Sequence, residues 1–513
     1  MTKLLSMMRI TTRGRQTKHA GSPRRYGLRQ LGRYGIIALA VALVILGLGR
    51  QPALATQAQH YTDLEFSPLR EIEIPEYSTF SLDNGLQVYL MEDHELPLVS
   101  GTALIHTGDR YEPADKVGLA SIAGSVMRSG GSETYPADDL NQFLEQRAAS
   151  IETGIGSDSG SATFDALSED LPEVFLRFAD VLCHPAFPQE KIDFTINQFE
   201  GDIARRNDNP EDILSREFTK LIYGSGSPYA RTAEYSTLDN IDRDDIVAFY
   251  DSYVYPSNIL LGIVGDFDPV AMRLLVESTF SDWPTAAADA VPEKPEVEQA
   301  NTSGVFLVDQ PQLSQSYIQL GHLGGTRRGP DYAEMSVVNE VLNGLGGRLV
   351  NEVRSRQGLA YVTYAFWSAR YDYPGIFIAG GQTRSDATVP FVRLTLEEIE
   401  RIRQEPISDE ELAQARDSVL NSFVFNFQTP GQTLSRVRRY AYYDYPSDFI
   451  FQYRSDLQAV TPDSILQAAK QHLKPDQIVM LVVGNQAEID PPLQMLGTGD
   501  VTPIDIAMEQ RQP

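Results

Sequence analysis

The second half of this chain repeats the outline of the first at a nearly constant spacing. His106 stands opposite His322, 216 residues later, and two further matches lie 220 and 219 residues apart. The spacing far exceeds the roughly 20–50 residues of solenoid repeats, so the sequence predicts two similar domains of about 200 residues each. The matching segments are 105–130 with 321–344, 187–210 with 407–430, and 259–266 with 478–485.

Strand and helix patterns are mixed within each repeat. Segment 80–93 has the period-two pattern of a hairpin around the turn dipeptide Asn84-Gly85, and 99–108 has the pattern of a strand. The predicted fold class is α+β, with two similar domains, each a mixed or antiparallel sheet with helices packed on one face. Further predicted helices are 118–130, 138–147, 171–183 and 189–206, further predicted strands are 162–170 and 258–269, and 227–242 is a predicted loop. The predicted domains are 75–284 and 305–495, joined by a linker at 285–304 that is rich in Ala, Pro and Glu.

The N-terminus has the features of an export signal. Residues 1–55 contain ten Lys and Arg residues and no acid, and they include the apolar stretch 35–49 and a small-residue end, Pro52-Ala53-Leu54-Ala55. Fifteen helical residues span about 22 Å, less than a bilayer core of about 30 Å. We expect cleavage near Ala55 and a periplasmic or secreted protein. The alternative is an uncleaved anchor formed by 35–49.

Composition excludes several classes of protein. The formal net charge is −27, and without the basic leader it is −37, from 33 basic and 70 acidic residues. Such a chain lacks the basic surface of a nucleic-acid binder. Cys183 is the only cysteine, which excludes an internal disulfide framework and a cysteine zinc cage.

The histidines do not have the spacing of a zinc site. Neither H-E-x-x-H nor H-x-x-E-H occurs, so no helix directs two imidazoles and a carboxylate to one metal ion. We expect each histidine to be structural or on the surface. Those outside the leader are His60, His94, His106, His184, His322 and His472.

Two specific segments carry a family resemblance. They are GGRLVNEVRSRQGLAY at 346–361 and PSNILLGIVGDFDP at 256–269. With the helix that begins at Gly118-Leu119-Ala120, they resemble the pitrilysin/insulinase family, and within it the two-domain bacterial and mitochondrial processing peptidases. The resemblance covers about 75–495, and it implies the two-domain fold of that family.

Active members of the family carry H-x-x-E-H in the helix that begins at Gly118. The resemblance places Ser121 and Ser125 at the two histidine positions and Gly124 at the glutamate position. The third ligand position falls near Asp202, beside Glu200. Serine is a poor zinc ligand and glycine cannot act as a general base. We therefore expect no metal and no complete catalytic site in this chain.

A second element of the family is retained. The metal-free chains of heterodimeric members offer an Arg and a Tyr to substrate, and these resemble Arg354 and Tyr361. A guanidinium and a phenol can both donate hydrogen bonds to a substrate carbonyl or a developing oxyanion. The alternative is that Arg354 makes a surface ion pair with Glu352 or a neighbouring residue and that Tyr361 packs within a strand.

The resemblance implies a metal-free subunit of an exported two-chain peptidase, which binds an unfolded peptide and completes the active chamber. The partner subunit would carry H-x-x-E-H and bind zinc. One alternative is a structural or peptide-binding scaffold without peptidase activity. A second is an active metalloendopeptidase that uses unusual ligands such as Glu200 and Asp202.

Overall fold

Two six-stranded sheets of similar topology form the framework of the protein. The computed structural model describes residues 74–285, 294–497 and 499–509. We call the residues up to 285 the first half and those from 294 the second half. The predicted leader 1–55, its apolar segment 35–49 and His60 lie outside the described residues. No helix in the described ranges is both long enough and apolar enough to cross a membrane.

The first half contains one sheet and eight α-helices in its described residues. Its strands are β1 (Ser78–Ser81), β2 (Gln87–Glu92), β3 (Leu98–Ile105), β4 (Ser150–Ile155), β5 (Gly160–Leu167) and β6 (Ile259–Gly265). Its helices are α1 (Leu119–Ser129), α2 (Ala137–Arg147), α3 (Leu171–Cys183), α4 (Gln189–Arg205), α5 (Pro210–Tyr223), α6 (Tyr235–Asp239), α7 (Arg243–Tyr253) and α8 (Pro269–Phe280).

The second half follows the same plan. Its strands are β7 (Gly304–Asp309), β8 (Gln315–Leu323), β9 (Ala360–Trp367), β10 (Ile376–Arg384), β11 (Val479–Gly484) and β12 (Val501–Pro503). Its α-helices are α9 (Tyr332–Asn343), α10 (Thr388–Gln404), α11 (Asp409–Phe423), α12 (Pro430–Tyr442), α13 (Phe449–Ala459) and α14 (Pro462–His472), and a π-helical segment spans Val350–Arg356.

The strand orders show how closely the halves correspond. The first sheet runs β1-β2-β6-β3-β5-β4 and the second runs β12-β7-β11-β8-β10-β9. Each sheet contains an equivalent parallel pair, β2 with β6 and β7 with β11. In the second sheet β12 also pairs in parallel with β7, and the other strand pairs of both sheets are antiparallel. The α+β class and the mixed sheets of two similar domains are therefore confirmed. The predicted helices and the β1–β2 hairpin also form. The predicted loop 227–242 contains the short helix α6, and the strand β4 was missed.

Each half buries one face of its sheet under its own helices. In the first half, Val88 of β2 and Leu261 of β6 face the cluster that contains Ile122 of α1 and Phe178 of α3. Both strands alternate, so their neighbours Tyr89 and Leu260 face the opposite side of the sheet.

The opposite face of each sheet is covered by a helix from the other half. Helix α12 packs on β6 and β2, while α5 packs on β8 and β11. These two helices occupy equivalent places in the repeat, and both begin with a proline after a side-chain cap, from Asn209 and from Thr429. Burial on both faces explains why β11 is continuously apolar. The exchanged helices thus join the two halves into one compact unit.

Candidate functional site

Helix α1, which the sequence resemblance matches to the zinc helix of active family members, is packed directly against the edge strand β4. A Cβ atom added at Gly124 would lie 2.5 Å from the backbone nitrogen of Ile155 and 2.9 Å from the carbonyl carbon of Gly154. Thr153 also donates a hydrogen bond of 2.6 Å to the carbonyl oxygen of Gly124. A glutamate at position 124 would therefore collide with β4 unless the strand moved.

The other positions of the zinc motif do not fit a zinc ion either. Ser121 is half-buried, and its Oγ donates to the carbonyl oxygen of Ile155 at 3.5 Å. Ser125 is exposed. Neutral hydroxyls in place of two imidazoles, with Gly124 in place of the base, cannot supply the donor set that structural or catalytic zinc requires.

The residual acids lie on different sides of helix α4. Glu200 is buried, with 9% of its surface exposed, whereas Asp202 is exposed and pairs with Arg205 at 3.3 Å. Across the described ranges, no group of three or more His, Cys, Asp or Glu side chains is arranged to hold a metal ion. We derive no catalytic step through zinc from the residues in these ranges.

A buried carboxylate at the start of α1 was not predicted. The two oxygens of Glu112 accept hydrogen bonds from the backbone nitrogens of Gly118, at 3.1 Å, and Ala120, at 2.9 Å. Gly118 precedes the helix with a φ of +109°, which explains why glycine stands there. Burial raises the pKa of Glu112 to about 7, although the two backbone donors oppose that shift. Glu112 satisfies donors at the helix start that would otherwise be unpaired.

The structure brings Arg354 and Tyr361 together at an exposed edge. Arg354 lies in the π-helical segment, and its guanidinium carbon is 5.0 Å from the ring centroid of Tyr361, the second residue of β9. The side chain of Tyr361 is 80% exposed. Glu352 pairs with Arg356 instead of Arg354. The two predicted residues therefore form a cation–π pair that faces solvent.

Strand β9 is the last strand of its sheet, because it pairs with β10 alone among the described strands. Its exposed side chains include three large apolar or aromatic residues, Tyr361, Val362 and Phe366. An edge of this kind offers backbone donors and acceptors to another extended chain. The Arg354–Tyr361 pair thus lies beside a surface that can accept a strand.

The histidines are placed in structural roles. Burial lowers the pKa of His322 to about 4, and its Nε2 accepts from the backbone nitrogen of Lys474 at 3.0 Å while Nδ1 donates to the carbonyl oxygen of Leu323. His106 stacks on Tyr442 with a centroid distance of 4.0 Å, and burial lowers its pKa to about 4 as well. The other three described histidines contact carboxylates: His94 with Asp266, His184 with Asp180 and His472 with Asp331.

Known proteins share both the sequence pattern and the fold. The profile described as "Insulinase (Peptidase family M16)" matches 88–231, and the profile "Peptidase M16 inactive domain" matches 240–419. The uncharacterized zinc protease YmxG of Bacillus subtilis is 21% identical over 361 residues, which cover 70% of this chain and 86% of that protein. The non-peptidase homolog YmxG of Helicobacter pylori is 22% identical over 405 residues, which cover 77% and 91%.

Solved structures show the same fold. A peptidase M16 inactive domain from Pseudomonas fluorescens superposes with a TM-score of 0.71 at 23% identity, covering 80% of this chain and 98% of that one. A protease from Helicobacter pylori gives a TM-score of 0.70 at 16% identity, covering 80% and 99%. The two profiles match consecutive segments of this chain, and both describe the M16 family. The sequence resemblance predicted the same family. The chain therefore belongs to the insulinase family of peptidases, family M16.

Proposed function

We propose that this chain is the metal-free subunit of a two-chain peptidase, in which it binds an unfolded peptide beside a partner's zinc site. The observation that carries the proposal is the exposed Arg354–Tyr361 pair at the edge strand β9. In the same chain, the close contact of Gly124 with the backbone of β4 leaves no room for the glutamate of the zinc motif. The partner would be a family member with H-x-x-E-H, which supplies the metal and the attacking water.

The chemistry of the pair suits a supporting role in peptide hydrolysis. Arg354 is permanently charged and exposed, and it forms no ion pair with a carboxylate among the described residues. Stacking on Tyr361 orients the guanidinium without using its N–H groups. Both side chains can therefore donate to a peptide carbonyl, and one well-placed donor to an oxyanion contributes about 3 kcal/mol to the transition state.

The edge of β9 supplies the means to hold the peptide. An extended substrate added to this edge would gain backbone hydrogen bonds along a strand of eight residues. The exposed side chains of Val362 and Phe366 would contact alternate positions of that substrate. Backbone pairing accepts many sequences, which suits a protein that binds unfolded chains.

The names of relatives support a role without catalysis in part. The Helicobacter pylori relative is called a non-peptidase homolog, whereas several others, including the Bacillus subtilis protein, are called zinc proteases. We assign this chain to the first kind because of Ser121, Gly124 and Ser125. Its acidic composition favours basic or neutral peptides through the overall field. Its basic, apolar leader supports export to the periplasm or the medium, with an anchor formed by 35–49 as the alternative.

Co-purification with candidate partners tests the proposal. We expect the chain to copurify with a family member from the same genome that carries H-x-x-E-H, with zinc bound stoichiometrically only in the presence of that partner. Peptide cleavage by the complex should fall at least about tenfold with Arg354→Ala or Tyr361→Phe. Arg384→Ala, an exposed arginine at the end of the neighbouring strand β10, is the matched control.

Three outcomes would contradict the proposal in different ways. Full activity of the complex with both variants would remove the role of the pair in substrate binding. Peptide binding without any peptidase partner would favour the scaffold. Stoichiometric zinc in the isolated chain, together with cleavage, would establish a self-sufficient enzyme with unusual ligands.

A further inference from the structure

Two adjoining cavities of about 680 and 590 Å³ lie among helices α9, α11, α12 and α13 and the loops that follow β8 and β9. The smaller one is also lined by Leu104, Asp158 and Ser159 of the first half. Four residues line both cavities: Arg327, Tyr332, Tyr371 and Arg439. We call the combined space the arginine cleft. Its further arginines are Arg436 in the larger cavity and Arg370 in the smaller one.

None of these four arginines forms an ion pair with a carboxylate in the described part of the chain. Arg327 donates instead to neutral oxygens, the carbonyl of Ala369 at 3.3 Å and the hydroxyl of Tyr371 at 3.5 Å. Arg436 donates to the side chain of Asn426 and to the hydroxyl of Tyr440 at 3.4 Å. Several positive charges thus meet in one space without local neutralisation.

The lining of the cleft is unusual for such an acidic chain. The whole sequence has 70 acids against 43 bases, yet no Asp or Glu of the described ranges lines the larger cavity. Among the residues that the structure describes, Asp158 is the single acid that lines the smaller one, and its carboxylate already accepts a hydrogen bond of 2.6 Å from the hydroxyl of Tyr443. The cleft is therefore a local positive site on a negative protein.

Aromatic rings hold the central guanidinium in place. The guanidinium carbon of Arg327 is 4.4 Å from the ring centroid of Tyr371 and 5.9 Å from that of Tyr332. Stacking fixes the plane of the guanidinium while leaving part of its N–H edge free for a planar anion. Arg439 is exposed and lies at the junction of the two cavities. Arg327 and Arg439 thus both line the space that the two cavities share.

We propose that the arginine cleft binds an acidic peptide segment, whose carboxylates pair with Arg327 and Arg439. Arginine pairs with carboxylates through two parallel hydrogen bonds, which are stronger than hydrogen bonds between neutral groups. The aromatic and apolar lining from Phe423, Phe425 and Phe449 suits the side chains of a peptide better than it suits a free phosphate. A single phosphate would also fill only a small part of either cavity.

This proposal does not rest on the proposed function, although Phe366 of the β9 edge also lines the smaller cavity. It uses neither the Arg354–Tyr361 pair nor the contact of Gly124 with β4. Its ligand is an acidic peptide, whereas the negative net charge of the whole chain favours basic or neutral peptides. It adds a second peptide site. Close to the cleft, the attraction of a carboxylate to the nearby arginines outweighs its repulsion by the negative charge of the whole chain.

Fluorescence anisotropy with the purified chain tests the proposal. The probes are a labelled glutamate-rich peptide that contains phenylalanine, the same peptide with glutamine at each glutamate, and one with lysine there. We expect saturable binding of the glutamate peptide, and binding at least about tenfold weaker with either of the other two. Arg439→Gln should weaken binding of the glutamate peptide by a similar factor. Arg205→Gln, an exposed arginine on α4 outside the cleft, is the matched control and should bind as the wild type does.

Several results would overturn the proposal. Equal affinity for the glutamate and glutamine peptides would remove the role of charge, and unchanged affinity with Arg439→Gln would place binding elsewhere. Displacement of the peptide by equimolar inorganic phosphate would identify a phosphate site instead. If Arg439→Gln changes the circular dichroism spectrum, peptide affinity is measured with Arg370→Gln instead. Arg370 is exposed and, of the two cavities, lines only the smaller one. Unchanged affinity there as well would reject the cleft.

Discussion

Nη2 of Arg110 lies 3.0 Å from Oδ2 of Asp372, and this ion pair joins the two halves of the protein. The side chains are 3% and 6% exposed. Lys294 approaches the same carboxylate oxygen at 3.2 Å from the surface. A buried carboxylate that neutralises two cations holds the loop between β9 and β10 against the segment that follows β3.

Removing the charge of Asp372 should destabilise the protein. Asp372→Asn leaves the buried guanidinium of Arg110 without a counterion, and we expect the free energy of unfolding to fall by about 3 kcal/mol. Urea denaturation monitored by circular dichroism measures the change. Asp386→Asn breaks the surface pair with Arg384, whose two side chains are 63% and 66% exposed, and is the control. A loss no larger than that of the control would contradict the role of the buried pair.

The contact of helix α12 with the first sheet depends on a glycine. Arg438 is buried, and its Nη1 donates to the carbonyl oxygen of Thr102 at 2.5 Å. A Cβ atom at Gly262 of β6 would overlap the Nε and Cδ atoms of Arg438. The equivalent contact in the other half is apolar, between Phe218 of α5 and the second sheet that contains Leu481. The two exchanged helices therefore use different packing at the same place.

Gly262→Ala should consequently destabilise the protein by about 1–3 kcal/mol through overpacking. The double variant Gly262→Ala/Arg438→Met, with a slimmer and uncharged side chain on α12, should recover part of that loss. Urea denaturation of the four members of this double-mutant cycle gives the coupling energy. Strictly additive effects would show that the two residues do not interact.

The repeat and its periodicities were sufficient to predict two similar domains, their mixed sheets and four of the eight α-helices described in the first half. They could not predict the exchange of α5 and α12, because an amphipathic pattern shows that a face is buried but not which sheet covers it. Alternation along β2 and β3 likewise left open what covers the second face of the sheet.

The site was predictable to a similar extent. Arg354 and Tyr361 are close in sequence. The chain reverses between the π-helical segment and β9, which brings the two side chains together. The arginine cleft was not predictable, because Arg327 and Arg439 are far apart along the chain and meet only through tertiary packing. The contact of Gly124 with β4 was also not predictable, since the hydrophobic pattern of the sequence did not predict that strand.

Glu112 should give the stability a specific pH dependence. Because burial raises its pKa from 4.5 to about 7, the folded protein holds this proton more tightly than the unfolded chain does. Its contribution to stability is fully present below about pH 4.5 and is lost as the pH rises to about 7, at up to about 1.4 kcal/mol per pH unit.

The variant Glu112→Gln isolates this contribution, because glutamine cannot ionise. The free energy of unfolding of the wild type, minus that of Glu112→Gln, should fall between pH 4.5 and 7 and level off above it. Urea denaturation at a series of pH values measures this difference. Glu190→Gln, at an exposed position in the first turn of α4, is the matched control. A difference for Glu112→Gln that does not vary with pH would contradict the argument.

Restoring the family's zinc motif should fail in this chain for a steric reason. The triple variant Ser121→His/Gly124→Glu/Ser125→His supplies the ligand and base types, but the new side chain at position 124 meets the backbone of β4. Gly124→Ala alone should cost about 1–3 kcal/mol of unfolding free energy, since the added Cβ atom faces rigid backbone. Ser125→Ala, at an exposed position on the same helix, is the control. We expect the triple variant to be less stable than Gly124→Ala and to bind zinc substoichiometrically in metal analysis. A stable triple variant with one zinc per chain would show that β4 yields readily and that the close contact at Gly124 does not prevent metal binding.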